Sequence, residues 1–279
     1  MQKMMRAALA LLVALSLLLG CAAAEGMEPL QVHQINVGCA DSYLLICGDT
    51  KIMFDGGTEH DAKRLEMMEY IRLAGVDTLD AVIVTHYHGD HVGNIQHILT
   101  AFGDENTVTY GPTEEMAYNY RDLAAGTYRQ MKNFDEVDIG PLHLTCVGPD
   151  TIDGKGGINR DSLNVVLTYG AHRYLFTGDF VRGKSVIRDH EALVKDIDVF
   201  KFPHHGLTPY CVDAWVVKIL QPRLVLVPGA SGWAVKDMVA KTCVGDTQVL
   251  DYSKGHVVLL SDGVTIEVHT QVEPGQFAQ

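Results

Sequence analysis

The ten residues THYHGDHVGN constrain this chain more than any other stretch, because they crowd metal-binding side chains onto one turn. His86, His88, Asp90 and His91 follow LDAVIV, an apolar run typical of a strand buried on both faces. A solvated loop can also be rich in His and Asp, but these donors directly after a buried strand favour a metal site. Since zinc takes about four ligands and a two-metal site needs more, the fold has to bring further donors to this turn.

A second group of candidate ligands lies far along the chain, in KFPHHGL. His204 and His205 are adjacent, after Pro203 and before Gly206. Two neighbours in a regular strand point to opposite faces, whereas a loop between proline and glycine escapes that alternation. Both imidazoles can then face one site, or one can bind a metal while the other supports it. The sequence leaves these alternatives open and favours His205 if only one binds.

Strand-like segments dominate the chain and indicate one α/β domain built on large, mixed sheets. LQVHQINV, SYLLIC and KIMFD open it, with GDT and DGGT as breaks between strands. The second half contains LHLTCV, LNVVLTY, RYLFTG, IDVFKF, RLVLV, HVVLL and VTIEV. We expect a single domain over residues 30–270 and a flexible tail over residues 271–279.

One helix is predicted to follow the first strands, with Thr58 as its N-cap and Gly75 as its end. Apolar residues recur there at helical spacing and predict its buried face. They are Ala62, Leu65, Met68 and Ile71.

The N-terminal segment predicts export. Basic residues precede an apolar run over residues 7–19, which is shorter than the roughly twenty residues of a bilayer-spanning helix. The following LLGC resembles the lipobox of bacterial lipoproteins, so residues 1–20 would be a signal peptide, Cys21 the lipidated residue and residues 21–29 a tether. The alternative is an ordinary signal peptide and a secreted protein. Both interpretations place the folded body outside the cytoplasm, with a membrane anchor in the first.

Taken together, these motifs resemble the metallo-β-lactamase superfamily of hydrolases. THYHGDH is similar to its HxHxDH signature, and MFDGG, FTGD and HHG fit further motifs of the family in chain order. The resemblance covers residues 30–268 and implies the four-layer αββα sandwich, with metals where strand ends converge. Within the superfamily, the chain most resembles the extracellular hydrolase domain of competence DNA-uptake channel proteins and its secreted relatives, through NVGCADSYLL, NRDSLNVVLTYGAHRYLFTGD, VFKFPHHGL and SDGVTIEV.

The resemblance implies a site for two zinc ions, with manganese as an alternative. The implied ligands are His86, His88, Asp90, His91, Asp179, His204 and His205. The first two histidines would share one ion with one member of the adjacent pair, and Asp90 and His91 would share the other ion with its neighbour. Asp179 of FTGD would bridge both ions, and Asp55 of MFDGG would orient a ligand from behind.

Many members of the superfamily add a lone histidine, in a GH setting, between the first motif and the bridging aspartate. Here the further histidines in that interval are His97, His143 and His172, in a predicted helix, strand and hairpin. These settings favour surface or packing roles. The pair in HHG is therefore expected to take the place of the lone histidine.

The implied reaction is hydrolysis by a hydroxide held between the two metals, with Asp90 and Asp179 as the catalytic carboxylates. No Ser or Cys nucleophile is then required. The relatives with HHG imply a phosphodiester substrate, which would be nucleic acid, a nucleotide or a small phosphodiester. Asn159, Ser162 and Thr208 would donate hydrogen bonds to the phosphate, although Asn159 and Ser162 fit a hairpin turn equally well.

The net charge of −13 bears on the size of the substrate. A nuclease that tracks a long polyanion usually presents a basic patch, so the acidic chain favours a small substrate over long DNA. A β-lactamase is an alternative, disfavoured by HHG and by the missing lone histidine. The other alternative, a non-catalytic metal-binding surface lipoprotein, would require an incomplete ligand set. No sequence feature identifies a protein partner.

Overall fold

A computed structural model of the chain describes residues 27–113, 126–150, 152, 158–180, 184–207, 211–229 and 232–278. The predicted signal peptide, Cys21 and Thr208 lie outside these residues. The strands are β1 (Leu30–Gln34), β2 (Tyr43–Cys47), β3 (Thr50–Phe54), β4 (Ala81–Ile83), β5 (Val108–Gly111), β6 (Thr127–Gln130), β7 (Glu136–Ile139), β8 (Leu142–Gly148), β9 (Asn164–Tyr169), β10 (His172–Thr177), β11 (Val199–Lys201), β12 (Leu224–Val227), β13 (Gln248–Asp251), β14 (Val257–Ser261) and β15 (Ile266–Thr270).

The α-helices are α1 (Asp61–Leu73), α2 (Gly89–Val92), α3 (Ile95–Phe102), α4 (Lys184–Val194), α5 (Ala214–Leu220) and α6 (Trp233–Thr242). Short 3-10 helices span Ile158–Asp161, His204–Gly206 and Tyr252–Lys254. Within the described residues, no helix combines the length and the apolar content needed to cross a membrane.

The strands form two mixed sheets. The first has the order β15-β14-β1-β2-β3-β4-β5-β6, and the second has the order β13-β12-β11-β10-β9-β8-β7. Strands β3 to β6 run parallel to one another, as do β10 to β13. The carboxyl ends of neighbouring parallel strands meet at one edge of a sheet, so each sheet offers one edge at which its loops converge.

The largest apolar cluster lies between the two sheets and holds them face to face. Phe54 of β3 stacks on Phe176 of β10, with ring centroids 4.6 Å apart, and Tyr43 of β2 meets Phe176 edge-on at 5.6 Å. All three rings are at most 2% exposed. Phe54 and Phe176 come one and three residues before Asp55 and Asp179, so this packing fixes the strand ends that carry those carboxylates.

The helices cover the outer faces of the sheets. Helices α1 and α3 pack on the first sheet through one cluster, and helices α4, α5 and α6 pack on the second sheet through another. The layers are therefore helix, sheet, sheet and helix. This confirms the four-layer αββα fold and the mixed sheets expected from the sequence.

Two details of α1 differ from the sequence prediction. The helix begins at Asp61, and its N-cap is His60 instead of the predicted Thr58. Thr58 lies before the helix, where its backbone carbonyl accepts a hydrogen bond from Asn94 Nδ2 at 2.6 Å. Its buried face consists of Met67, Tyr70, Ile71 and Ala74. These residues have i, i+3, i+4, i+7 spacing, so the predicted face was wrong by part of a turn.

The predicted flexible tail also begins as packed structure. Val272 is only 4% exposed, and its N–H donates to the carbonyl of His256 at 3.1 Å. The N–H of Gln271 donates to the carbonyl of Lys254 at 2.7 Å. These contacts tie the chain after β15 to the segment that precedes β14, and the flexible tail over residues 271–279 stays a prediction.

Candidate metal centre

The candidate centre lies where the ends of parallel strands from both sheets face each other. The THYHGDH turn follows β4 in the first sheet, Asp179 follows β10 in the second, and the histidine pair follows β11. Because β10 and β11 are parallel neighbours, their loops emerge at the same edge and meet the turn after β4.

One group of donors forms around Oδ2 of Asp179. His86 Nε2 lies 3.6 Å from this oxygen and 3.1 Å from His88 Nδ1. His204 Nε2 lies 3.8 Å from the same oxygen. We call this group, comprising His86, His88, His204 and Oδ2 of Asp179, site I.

A second group of donors forms around Oδ1 of Asp179. His91 Nε2 lies 3.0 Å and His205 Nε2 3.7 Å from this oxygen. His205 Nε2 also lies 3.0 Å from Asp90 Oδ2. We call this group, comprising Asp90, His91, His205 and Oδ1 of Asp179, site II. Every ligand implied by the sequence thus belongs to one of two groups that share Asp179.

Left-handed backbone explains how adjacent histidines reach the same centre. His204 and His205 both have φ of 53°, and Gly206 has φ of 74°. Such conformations cost about 1–3 kcal/mol for residues other than glycine and persist only where the surroundings enforce them. The 3-10 turn directs one ring towards each oxygen of Asp179, so the geometry favours the alternative in which both histidines face the site.

Asp55 contacts His91 on the side of the ring away from Asp179. His91 Nδ1 donates to Asp55 Oδ2 at 2.7 Å, which leaves Nε2 directed at Asp179. The hydroxyl of Thr85 donates to the same oxygen at 2.7 Å, and the Thr85 N–H donates to Oδ1 at 2.8 Å. Asp55 itself has φ of 54°, so its unusual backbone also places it behind the histidine.

Two buried residues that the sequence reasoning missed complete the centre. Asp41, in the loop between β1 and β2, accepts a hydrogen bond from His205 Nδ1 at 3.1 Å and forms an ion pair with Lys201 of β11. Both residues are 1% exposed. The available signals were the charged residue inside the apolar run IDVFKF and the polar end of GCAD.

The three predicted phosphate contacts lie in different environments. Ser162 is fully buried, and its hydroxyl accepts a hydrogen bond from the N–H of Asp179 at 3.1 Å. In this structure it therefore supports the Asp179 backbone and does not face solvent, and its role as a substrate contact stays a prediction. Asn159 is half-buried on the neighbouring 3-10 turn and stays a predicted contact. Thr208 lies outside the described residues.

The three other histidines lie away from the centre. His97 is exposed on α3, and His143 of β8 is paired with Asp138 at 2.7 Å on the surface. His172 is buried at the start of β10, 3.3 Å from Asp198. These positions agree with the packing and surface roles expected from the sequence.

The donor atoms of the centre fit divalent cations. His91 Nε2 and Asp179 Oδ1 are buried and lack a hydrogen-bond partner among the described residues, although they lie 3.0 Å apart. Buried polar atoms are almost always satisfied, so two orphaned donors aimed at one point indicate a ligand there. Imidazole nitrogens and carboxylate oxygens are suited to zinc and similar ions.

The pKa values in the centre follow from its buried charges. Burial alone would lower the pKa of His91, but the charges of Asp55 and Asp41 raise it to about 10. Burial would raise the pKa of Asp179, but the close contact with His91 and the charge of His91, followed by the charge of Lys201, hold it well below its ordinary value. A cation that binds His91 Nε2 therefore has to displace a proton.

Comparison with known proteins agrees with this geometry. Residues 36–230 match the metallo-beta-lactamase superfamily. Ribonuclease Z of Methanopyrus kandleri is 32% identical over 100 residues, which are 34% of this chain and 34% of that protein. ComE operon protein 3 of Bacillus subtilis is 23% identical over 167 residues, which are 58% of this chain and 21% of that protein.

The chain thus spans less than half the length of either relative. In the fold, it is similar to the metallo-beta-lactamase fold protein YhfI from Bacillus subtilis, with a TM-score of 0.60, 17% identity and coverage of 84% of this chain and 100% of that one. The family match covers more than half of the chain and includes the turn after β4, Asp179 and the histidine pair. The chain belongs to the metallo-β-lactamase superfamily of metal-dependent hydrolases, and its His/Asp cluster is the candidate metal-binding site.

Proposed function

We propose that this protein hydrolyses phosphodiesters with two divalent cations, preferably zinc, held in sites I and II. The observation that carries the proposal is the position of Asp179, whose two oxygens each face a separate group of imidazoles. A carboxylate that contributes to both groups is suited to bridging two cations. Manganese is the alternative metal, since nitrogen and oxygen donors also accept it.

The ligand side chains differ in exposure, and this difference indicates the side from which a substrate can approach the centre. His86, His91 and His205 are fully buried, whereas the side chain of Asp90 is 37% exposed and that of His204 is 29% exposed. His88 is also partly exposed, so the open side of the centre is formed by His88, Asp90 and His204. When bound, two cations supply an activated water and positive charge for the phosphate oxygens. Asp90 lies where it can orient a water on that side.

Two observations support the substrate class. The relatives include a protein named ribonuclease Z and a competence-related protein, ComE operon protein 3. The net charge of −13 opposes a long polyanionic substrate. We therefore favour a nucleotide, a short single strand or another small phosphodiester over long double-stranded DNA.

The test is a turnover screen of chelator-stripped protein reloaded with Zn²⁺ or Mn²⁺. Substrates are bis(p-nitrophenyl) phosphate, single-stranded DNA, cyclic dinucleotides, phosphocholine esters and nitrocefin. We expect about two metals per chain and hydrolysis of phosphodiesters. His205→Ala should abolish turnover and His97→Ala, on the exposed face of α3, should not. Metal-loaded protein that cleaves only nitrocefin, or nothing, would refute the proposal.

We further propose that the protein acts outside the cytoplasm, anchored through Cys21. The apolar run over residues 7–19 and the LLGC sequence support this location. Fractionation of cells expressing the full chain should place it in the membrane fraction, and Cys21→Ala should shift it out of that fraction. Wild-type protein recovered from the cytosol, with the N-terminal segment intact, would contradict the proposal.

A further inference from the structure

Asp41 is fixed behind site II by contacts on every side of its carboxylate. Oδ1 accepts the hydrogen bond from His205 Nδ1 at 3.1 Å, and Oδ2 lies 3.5 Å from His91 Nδ1. Oδ2 also forms the ion pair with Lys201. The Asp41 N–H donates to the carbonyl of Asp90 at 3.0 Å. One carboxylate thus touches both histidines of site II on the side away from Asp179.

Lys201 is an unusual neighbour for a cation site, because a buried ammonium repels cations. It is 1% exposed, and Nζ donates to the carbonyl of Gly178 at 3.2 Å in addition to pairing with Asp41. A buried ammonium persists only where it is paired. The ion pair with Lys201 holds the Asp41 carboxylate in place, so Asp41 remains a hydrogen-bond acceptor for His205.

The two sites differ in what stands behind their imidazoles. In site II, His91 is backed by Asp55 and His205 by Asp41, and both rings are fully buried. In site I, His86 Nδ1 lies 3.2 Å from the hydroxyl of Thr85. His204 Nδ1 lies 3.0 Å from the thiol of Cys211. Carboxylates behind histidine fix the ring and raise its basicity, whereas a thiol is a weak hydrogen-bonding group.

From this asymmetry we propose that Asp41 and Lys201 are positioning residues that make site II the tighter of the two cation sites. Lys201 acts by holding Asp41 in its hydrogen bond with His205 Nδ1. The inference rests on the proposed function only in that the centre binds two cations. It concerns the order and the strength of cation binding at the two sites, and both can be tested without measuring turnover.

The experiment is a Co²⁺ titration of the full chain after chelator stripping, followed by visible absorption and by competition with a chromophoric chelator. His205→Ala and His86→Ala identify which step belongs to site II and which to site I. The near-isosteric variants Asp41→Asn and Lys201→Met test the positioning pair. Cys211→Ala is the matched control behind site I, and circular dichroism checks the folding of each variant.

We expect two unequal steps in the wild type, with His205→Ala removing the tighter one. Asp41→Asn and Lys201→Met should each weaken the tighter step by about 10–100-fold and leave the weaker step unchanged, whereas Cys211→Ala should weaken only the latter. If Lys201 acts through Asp41, the double variant should lose no more affinity than Asp41→Asn alone.

Three results would overturn the inference: two equal steps, an unchanged tighter step in folded Asp41→Asn, or tighter Co²⁺ binding in Lys201→Met, which would mean that the ammonium only repels cations. If Lys201→Met fails to fold, Asp41→Asn decides. Unequal binding with the expected variant effects but without phosphodiester turnover would refute the proposed function and leave this inference standing.

Discussion

A buried histidine outside the metal centre should make the stability of this protein fall sharply between pH 7.5 and pH 5. His33, in the middle of β1, is 2% exposed. Its Nδ1 lies 2.8 Å from the Tyr70 hydroxyl and its Nε2 lies 2.9 Å from Gln31 Oε1. Burial, followed by the charge of His256, lowers the pKa of His33 to about 4.

The sign and size of the effect follow from proton linkage. Because the folded pKa is depressed, the unfolded chain takes up a proton below about pH 6.5 while the folded protein does not until about pH 4. Stability is thus unaffected by His33 above pH 7 and is lost as the pH falls towards 4. At pH 5 the loss amounts to about 2 kcal/mol from this one group.

The assay is urea unfolding of chelator-treated protein at pH 7.5 and pH 5, so that cation release adds no pH dependence of its own. In His33→Gln, the decrease in the free energy of unfolding between these pH values should be smaller than in the wild type by about 2 kcal/mol. His97→Gln, on the exposed face of α3, serves as the control and should behave like the wild type. An equal decrease in His33→Gln and the wild type would refute the reasoning.

Further predictions concern the support of the centre. Gly229→Ala should lower the free energy of unfolding by about 1–3 kcal/mol, because a β-carbon there would lie 2.6 Å from Cys39 Cα and 3.0 Å from His205 Cβ; an unchanged urea midpoint would contradict this contact. Thr85→Val removes the hydroxyl that donates to Asp55 at 2.7 Å and should cost about 1–3 kcal/mol in thermal unfolding, so full stability would argue against that hydrogen bond. Chelator should lower the melting temperature, since a free cation at 100 times its Kd contributes about 2.7 kcal/mol, and an unchanged melting temperature would contradict cation binding to the folded state.

Much of the fold was predictable because its sheets carry strong local signals. Apolar runs such as LDAVIV and RLVLV are buried strands in the structure, as expected for parallel strands covered on both faces. Strand β13 (Gln248–Asp251) was missed because Gln248 at its start and Asp251 at its end are polar, which leaves two apolar residues between them. The buried face of α1 was misjudged because Leu65 is apolar but 67% exposed, and local spacing cannot tell which stripe meets the sheet.

In the candidate site, too, the residues that lie in local motifs could be predicted, whereas those brought together by distant contacts could not. The ligand histidines come in compact motifs that are visible in the sequence, and the resemblance to the superfamily implies their shared role. Asp41 and Lys201 are separated by 160 residues in the sequence. They meet because the fold places the end of β11 beside the loop after β1. Ser162 was predicted as a phosphate contact from the NRDSL motif, and only packing shows that its hydroxyl is enclosed. Supporting residues are set by tertiary contacts, so a single sequence identifies them poorly.

The left-handed turn at His204 and His205 makes the centre sensitive to the length of the chain at this point. The two residues are adjacent, their ring centroids lie 6.1 Å apart, and each ring faces its own oxygen of Asp179. One peptide unit thus serves both groups of donors. An inserted glycine between the two histidines would keep both side chains, yet it would move one ring away from its oxygen and cost the centre a donor.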